Sequence, residues 1–566
     1  MRISSKLFVA FAGAVTCPAA SLAAPAVFDW FEYQGNDPLP QAGAGEFNNP
    51  ILTGFYPDPS ITRVGDDYYI VTSTFSYFPG LPIWHSRDLV SWKQIGNAIS
   101  RPTQLDFKKL GLSRGVFAPT IEHRNGTFYI ANTCVDCGGN FVITAKNPAG
   151  PWSDPIWQPE VDGIDPSIFF DDDGRAWMLN NGAPTEKPRY EGHRAIWIQE
   201  FDVRTNKTFG PRTLLVNGGV DISKKPIWIE GPNIYKKDGW YYLSAAEGGT
   251  AEGHSQVALR SKNVTGPYTP WEGNPYLTQR DLPRDRKSPI TSAGHADLVQ
   301  LPDGSWWASF LAVRPYEGDF YNTGRETFLM PVSWAEGWPR ITRPGETIPY
   351  VLKRPNLRPS GTAANGRRER VREEFNGQAL PLDWMMMRNP RERWYSLSGG
   401  ALQLTPRPVG LGDFANPSMV GRRQQHMYAT ASTSVRFNPA ASGDKAGLTA
   451  LQNDEYWYLL SVARGSAGPE VRLERRAGPN DPASGTVLAS APLSTGAGTP
   501  VQLRIRARGG AYDFEYAIRG GRWQTLAANQ DGKILSTKTA GGFVGTVFGL
   551  YAYSPGKTAK VPGERG

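Results

Sequence analysis

Cysteine and histidine are scarce in this chain. Three Cys and six His stand among 566 residues. Cys17 falls within the first twenty residues, so the body of the chain holds only Cys134 and Cys137, as Cys-Val-Asp-Cys. That excludes a small scaffold stapled by many disulfides. One CxxC pair supplies two of the four ligands of a structural zinc, and no second pair follows. A thioredoxin-type redox motif would open a helix in a βαβ unit, which is not written here. A small loop disulfide in an exported chain is the expectation, with two free thiols as the alternative. No His has catalytic-zinc spacing. Long blocks of one charge are also missing: Arg367-Arg368-Glu369-Arg370 is typical in being broken by acid. With 61 Lys+Arg against 53 Asp+Glu, the net charge of +8 reads as a solvation feature and not a nucleic-acid footprint. After the N-terminus no apolar run is long enough to span a bilayer, so no membrane partner is expected.

Residues 1–23 read as a secretory signal. Arg2 and Lys6 give the positive end, Leu7 to Val15 the apolar run, and Ser21-Leu22-Ala23 the small-residue cleavage site. Pro25 disfavours a cut just before it, which puts cleavage after Ala23. The mature protein is then secreted or periplasmic.

Turn-formers and aromatics are plentiful: Gly 62, Pro 47, Trp 18 and Tyr 23. That composition favours strands and turns over helices. One pattern recurs. Asp58-Pro59-Ser60 leads through an apolar run to a Gly/Asp turn and the aromatic strand Tyr68-Tyr69-Ile70-Val71. Ala118-Pro119-Thr120, Asp165-Pro166-Ser167, Gly231-Pro232-Asn233 and Ala296-Asp297-Leu298 open four further copies, the last without its proline. Positions 58, 118, 165, 231 and 296 are 60, 47, 66 and 65 residues apart. Asn-Gly or Asp-Gly between two apolar runs closes a tight hairpin, and this spacing fits one four-stranded blade per repeat. Five blades around a channel make a β-propeller, with matched turns at one end. Asp58, Asp165, Glu230 and His295 are the polar residues of those turns. Each alone could be ordinary turn chemistry; three carboxylates brought together across a channel are costly unless used.

The chain divides into the signal (1–23), an extended N-terminal segment (24–46), the propeller (47–345), a Pro/Arg/Gly-rich linker (346–370) and a second all-β unit (371–566). Period-2 strands at Met427 to Phe437, Tyr456 to Ala463, Val501 to Ala507 and Phe548 to Tyr553 predict a jelly-roll β-sandwich. The triple Met385-Met386-Met387 reads as packing filler. Asp88-Leu89-Val90-Ser91-Trp92, Asn147 to Trp152 and Asn263 to Tyr268 read as structural closures of blades.

Six motifs in order carry a resemblance. Phe55-Tyr56-Pro57-Asp58-Pro59-Ser60, Gly163-Ile164-Asp165-Pro166-Ser167, Ile229-Glu230-Gly231-Pro232, Ala246-Glu247-Gly248-Gly249-Thr250, Ala293-Gly294-His295-Ala296 and Gly324-Arg325-Glu326-Thr327 resemble glycoside hydrolase family 43. The C-terminal half, with Gly421 to His426, is similar to the concanavalin-like sandwich of its β-xylosidase type. The resemblance implies Asp58 as general base, Glu230 as general acid, and Asp165 as the group that raises and orients that acid. Trp228 and Ile229 would contribute an apolar wall beside Glu230. It further implies that Phe75, Phe117, Thr250, Arg325 and, from the sandwich, Phe543 bind the sugar. His295 would sit on the axis and hold a water-ringed calcium; no cofactor is required for the chemistry. Phe117 stands where β-xylosidases often carry Trp, which leans toward the α-L-arabinofuranosidase branch. Inverting hydrolysis needs its two carboxyls roughly 6.5–9.5 Å apart with water between base and sugar. The expected activity is exo-acting inverting release of β-D-xylose or α-L-arabinofuranose from xylo- or arabino-oligosaccharides. A silent sugar-binding propeller and an endo-acting arabinanase are the alternatives. Oligomeric state is left open.

Overall fold

The computed structural model describes residues 24–556 apart from 361–365, 368, 495 and 497. The signal segment and its cleavage site lie outside the described residues.

Tight turns set the register of the first half. Asn125-Gly126 joins Thr120–Arg124 to Thr127–Val135, and Asp238-Gly239 joins Glu230–Lys237 to Trp240–Glu247. All four turn residues have φ between 49° and 72°, the mirror-image turn whose twist matches that of paired strands. Five antiparallel sheets follow one another along the chain among the described residues. The strands that meet from sheet to sheet are Ser60–Val64, Thr120–Arg124, Ile164–Phe170, Glu230–Lys237 and Thr291–Gln300. Each packs beside the next, and the fifth returns to the first, which closes a ring.

Side chains of the repeat stitch this ring. In the three copies where a hydroxyl residue follows the proline, it reaches a neighbouring sheet: Thr120 Oγ1 donates to Pro166 O at 2.9 Å and Ser167 Oγ to Pro232 O at 2.5 Å. Ser60 Oγ instead donates to Asp297 Oδ2 at 2.7 Å, and Tyr235 donates to Asp297 Oδ1 at 2.5 Å. Asp297, in the copy that lost its proline, thereby joins the fifth sheet to the first and the fourth. The "Pro-Ser" half of the motif is thus ring closure. The closures of the blades are structural as read: Trp92 and Trp152 are buried and bond back to Leu89 O and Pro148 O.

The second half is a sandwich. A six-stranded sheet runs Ser418–Arg423, Val547–Tyr553, Lys445–Asn453, Tyr456–Arg464, Pro469–Ala477, Thr486–Pro492. The opposing sheet includes Tyr428–Arg436, Val501–Arg508 and Ala511–Ile518. Alternation is plain in Val501–Arg508, where Val501, Leu503, Ile505 and Ala507 are buried and the residues between face outward. The N-terminal segment, expected as an extension, is a strand of this sheet. Ala26–Gly35 pairs with Tyr428–Arg436 and buries Phe28 and Phe31 in the sandwich core. Its alternation is visible in Val-Phe-Asp-Trp-Phe-Glu-Tyr, but its partner lies some 400 residues away. Glu46–Asn48 pairs with Val351–Lys353, so the linker is fastened to the ring.

The halves share an apolar cluster. Phe55, Phe75, Tyr77 and Leu112 of the ring pack with Met385, Met387, Trp457, Val544 and Tyr551 of the sandwich. Arg423 donates to Phe55 O at 2.8 Å and its guanidinium lies 4.1 Å from the Tyr56 ring centroid. Cys134 and Cys137 are joined as a disulfide.

Candidate active site

A left-handed residue in, or just ahead of, the strand that faces the ring turns a side chain out of the ladder and into the ring. Asp58, Asp165 and His295 have φ of 54°, 55° and 52°. The ladder shifts register between Ile164 and Ser167, between Glu230 and Asn233, and between Gly294 and Asp297. These are bulges, which re-aim a side chain where pairing is interrupted. In the fourth sheet the matched residue is Gly231, at φ 56°, and not Glu230. Glu230, the polar residue of that turn, thus stands one residue ahead of the position that Asp58 and Asp165 occupy in theirs. Glu230 precedes the bulge. Gly231 is required there: a Cβ would stand 2.8 Å from His295 Cε1. Its N–H donates to Asp165 Oδ2 at 3.1 Å, which ties the second carboxyl to the loop of the third.

One cavity of about 270 Å³ collects these residues. Asp58, Phe75, Phe117, Asp165, Glu230, Thr250, His295, Arg325 and Phe543 all line it, as does Trp228; Ile229, expected beside Trp228 in the apolar wall, is buried and does not line it. Arg114 and Ile164 line it too. Arg114 had no signal; it is a lone Arg in a loop, held by Asp136 of the disulfide loop at 2.7 Å.

Asp58 is buried and doubly held. Ser73 Oγ donates to Oδ2 at 2.5 Å and Arg325 Nη1 to Oδ1 at 3.0 Å. Burial pushes its pKa up, but the Arg325 charge, His295 and the Ser73 hydrogen bond outweigh it, and the carboxyl stays below its ordinary value. Arg325 Nη1 also donates to Thr250 Oγ1 at 3.0 Å. Phe75, Phe117 and Phe543 stand with ring centroids 5.5 to 5.7 Å apart, and the Arg325 guanidinium lies 5.2 Å from the Phe543 centroid. Phe543 N–H donates to Ser113 Oγ at 2.8 Å, which pins the sandwich loop to the ring.

Glu230 and Asp165 go the other way. Burial, then the Asp58 charge, pushes Glu230 up to about 7 against Arg325 and Arg194. Burial and the charges of Glu230 and Asp58 push Asp165 well above its ordinary value. The two interact, so the proton belongs to the pair. The site can hold an ionised carboxylate and a protonated acid together near neutral pH.

His295 is buried, with Nδ1 3.9 Å from Asp58 Oδ1; burial lowers its pKa against the pull of the Asp58 charge. Among the described residues no three His, Cys, Asp or Glu converge as metal ligands. One imidazole nitrogen does not fit direct ligation of calcium, which takes oxygen donors.

Residues 47–339 match the family model of glycosyl hydrolases family 43, and residues 372–563 match the β-xylosidase C-terminal concanavalin A-like domain. A xylosidase/arabinosidase of Butyrivibrio fibrisolvens is 39% identical over 519 residues, covering 90% of this chain and 96% of that protein. A non-reducing end α-L-arabinofuranosidase of Bacteroides ovatus is 38% identical, covering 92% and 93%. The crystal structure of a GH43_12 protein from a capybara gut metagenome superposes with a TM-score of 0.87 at 38% identity, covering 94% of this chain and all of that one. The chain therefore belongs to glycosyl hydrolases family 43: it is a glycosidase whose catalytic propeller is followed by a concanavalin-like domain.

Proposed function

We propose that the protein is an exo-acting, inverting glycosidase that releases a terminal β-D-xylose or α-L-arabinofuranose from hemicellulose oligosaccharides. One observation carries this reading: a single cavity holds Asp58 kept ionised beside Arg325 and an acid pair, Asp165 and Glu230, that retains a proton near neutral pH. The activities of the relatives agree with it. The five sheets and their ring contacts support a five-bladed propeller as the scaffold.

In the reaction a water oxygen attacks the anomeric carbon while its proton passes to Asp58. Glu230 gives its proton to the glycosidic oxygen, the carbon–oxygen bond breaks, and the alcohol leaves. Burial and the Asp58 charge, not Asp165 as the resemblance implied, keep Glu230 protonated. Asp165 shares the proton of the pair and, by accepting from the Gly231 N–H, holds the loop that carries Glu230. Arg325 keeps Asp58 anionic and, with Thr250, offers polar partners to sugar hydroxyls. Any calcium on the axis would keep its own water shell, with His295 outside it.

The cavity volume favours the exo mode. At about 270 Å³ it falls below the usual range of ligand pockets and suits one pentose. A chain bound mid-length needs an open groove. A silent lectin has no use for a raised acid pair. Export of the mature chain is part of this proposal and rests on the N-terminal sequence.

The test is hydrolysis of p-nitrophenyl β-D-xyloside and α-L-arabinofuranoside, with proton NMR of the first-formed anomer. Monosaccharide release with inversion is expected. Intact nitrophenyl glycosides together with intact pentosans would sink the enzymatic reading, oligomeric products the exo reading, and a retained anomer the inverting one.

A further inference from the structure

Trp228 has no part in the chemistry above, although it lines the same cavity as Glu230 two residues on. It is 37% exposed, while Ile229 between them is buried. Its backbone φ is 49°, a conformation that bulky residues seldom adopt and that persists where surroundings enforce it. The surroundings are specific. Trp228 N–H donates to Gly192 O at 2.9 Å, and the next carbonyl, of Ile229, accepts from Asn181 Nδ2 at 2.6 Å. Gly192, at φ 83°, leaves room for the loop; a Cβ there would meet Ile227 Cγ2 at 3.0 Å and Trp228 Cδ1 at 3.4 Å. The Arg194 guanidinium lies 4.8 Å from the indole centroid, and its Nε donates to Asn181 Oδ1 at 3.1 Å. A large ring held this firmly and left partly in water beside a buried acid is shaped for an occupant.

The cavity has two sides. Phe75, Phe117 and Phe543 cluster by Arg325, the residue bonded to Asp58. Glu230 belongs to a different sheet, and Arg194 joins its electrostatics to the indole, since its charge acts on Glu230. A general acid delivers its proton to the oxygen between the two sugars. The sugar beyond that oxygen is the leaving group, and it lies on the acid's side.

We propose that Trp228 is the platform for the leaving-group sugar, and that it recognises a pyranose ring of the hemicellulose chain by stacking against the C–H-bearing face of that ring. The inference rests on the hydrolytic reading above and adds to it the class of group that the enzyme selects next to the bond it cuts. Arg194 is a positioning residue for this platform.

The experiment compares an oligosaccharide with its methyl glycoside of the same pentose. 1,4-β-Xylotriose is paired with methyl β-D-xyloside, and arabinosyl-xylotriose with methyl α-L-arabinofuranoside. The measured quantity is the ratio of kcat/KM for the oligosaccharide to that for the methyl glycoside. Trp228→Ala is expected to lower this ratio about tenfold, equivalent to about 1.4 kcal/mol, mostly through KM, and Trp228→Phe to restore most of it. A ratio within twofold of wild type in Trp228→Ala overturns the proposal. Inactive protein in a preparation lowers both rates alike and leaves the ratio unchanged. Should the alanine variant not fold, Trp228→Leu against Trp228→Phe asks the same question, and equal ratios overturn it. If the wild-type protein cleaves none of the four compounds, the hydrolytic reading fails separately. Calorimetric binding of xylotriose to wild type and Trp228→Ala then decides the platform: about tenfold weaker binding by the variant supports it, and equal binding overturns it.

Discussion

Asp58 and Glu230 begin with ordinary acidities of 3.8 and 4.5 and are pushed apart, the first down and the second up to about 7. Both are buried. The difference lies in partners: Asp58 has Arg325 and Ser73 on its oxygens, whereas Glu230 faces the Asp58 anion. Asp58→Ala and Glu230→Ala are each expected to lower kcat roughly 10³-fold, within the range that general acid–base groups contribute; steady-state rates on a nitrophenyl glycoside check this. The sign of the pH dependence follows. Activity needs Glu230 protonated, so kcat/KM falls as pH rises through about 7. It needs Asp58 ionised, so the acid limb lies below the ordinary Asp value. With a leaving group that needs no proton, Glu230→Ala should lose the alkaline limb; a limb that persists assigns it to another residue. Stability runs by the same linkage. A carboxyl with raised folded pKa binds its proton more tightly folded than unfolded, so stability falls as pH climbs from about 4.5 to about 7. Glu230→Gln should therefore have a higher Tm than wild type at pH 8, with the difference gone below the unfolded value, at about pH 3.5, as read by calorimetry. Asp58 and Asp165 were legible because each precedes a proline at a turn. Glu230 is the exception: the residue before its proline is Gly231, which takes the left-handed conformation, and only the fold shows that the residue ahead of it also reaches the cavity.

At the scale of elements, the bulged first strand is the device that converts a β-ladder into a catalytic rim. Gly231→Ala should test it. The variant must hold Ala at φ 56° and push a methyl group against the His295 ring. Displacement of Glu230 by a fraction of an ångström to an ångström is enough to lose on the order of 10²-fold in kcat. An Ala variant with wild-type kcat would show that the loop absorbs the methyl group without moving the acid. Hairpins were the most legible elements, because Asn125-Gly126 and Asp238-Gly239 specify their turn by residue type alone. The strand Ala26–Gly35 was not legible as part of the sandwich. Its alternation states that one face is buried, and nothing local states against what.

For the whole molecule, the site is completed by both halves. Phe543 enters from the sandwich, and Arg423 clamps the Phe55-Tyr56 segment just ahead of Asp58. A second link is the buried Arg314, which pairs with Glu326 at 2.5 Å and with Asp37 at 2.7 Å and donates to Gln425 O at 3.3 Å. It joins the ring, the N-terminal segment and the sandwich. Removing one partner of such a buried group leaves the others unpaired, so Arg314→Ala should cost about 3–5 kcal/mol in denaturant unfolding. A chain ended after residue 345 should be insoluble or aggregated on gel filtration. It would bare the Phe55–Tyr77 side of the shared cluster and strip Ala26–Gly35 of its sheet. A monodisperse, active fragment would show instead that the ring is self-sufficient.

The amino-acid sequence by itself determined the two architectures, the repeat that sets out the ring, and the three carboxyls, because turn chemistry, period-2 alternation and X-Pro spacing are local properties. Tertiary structure decided the rest. Which residue of each bulge points inward depends on backbone handedness. Which carboxyl keeps its proton depends on charges brought from other sheets. That the strand Ala26–Gly35 belongs to the C-terminal sandwich depends on a pairing across some 400 residues. Each is set by packing between distant segments, and no local pattern encodes it.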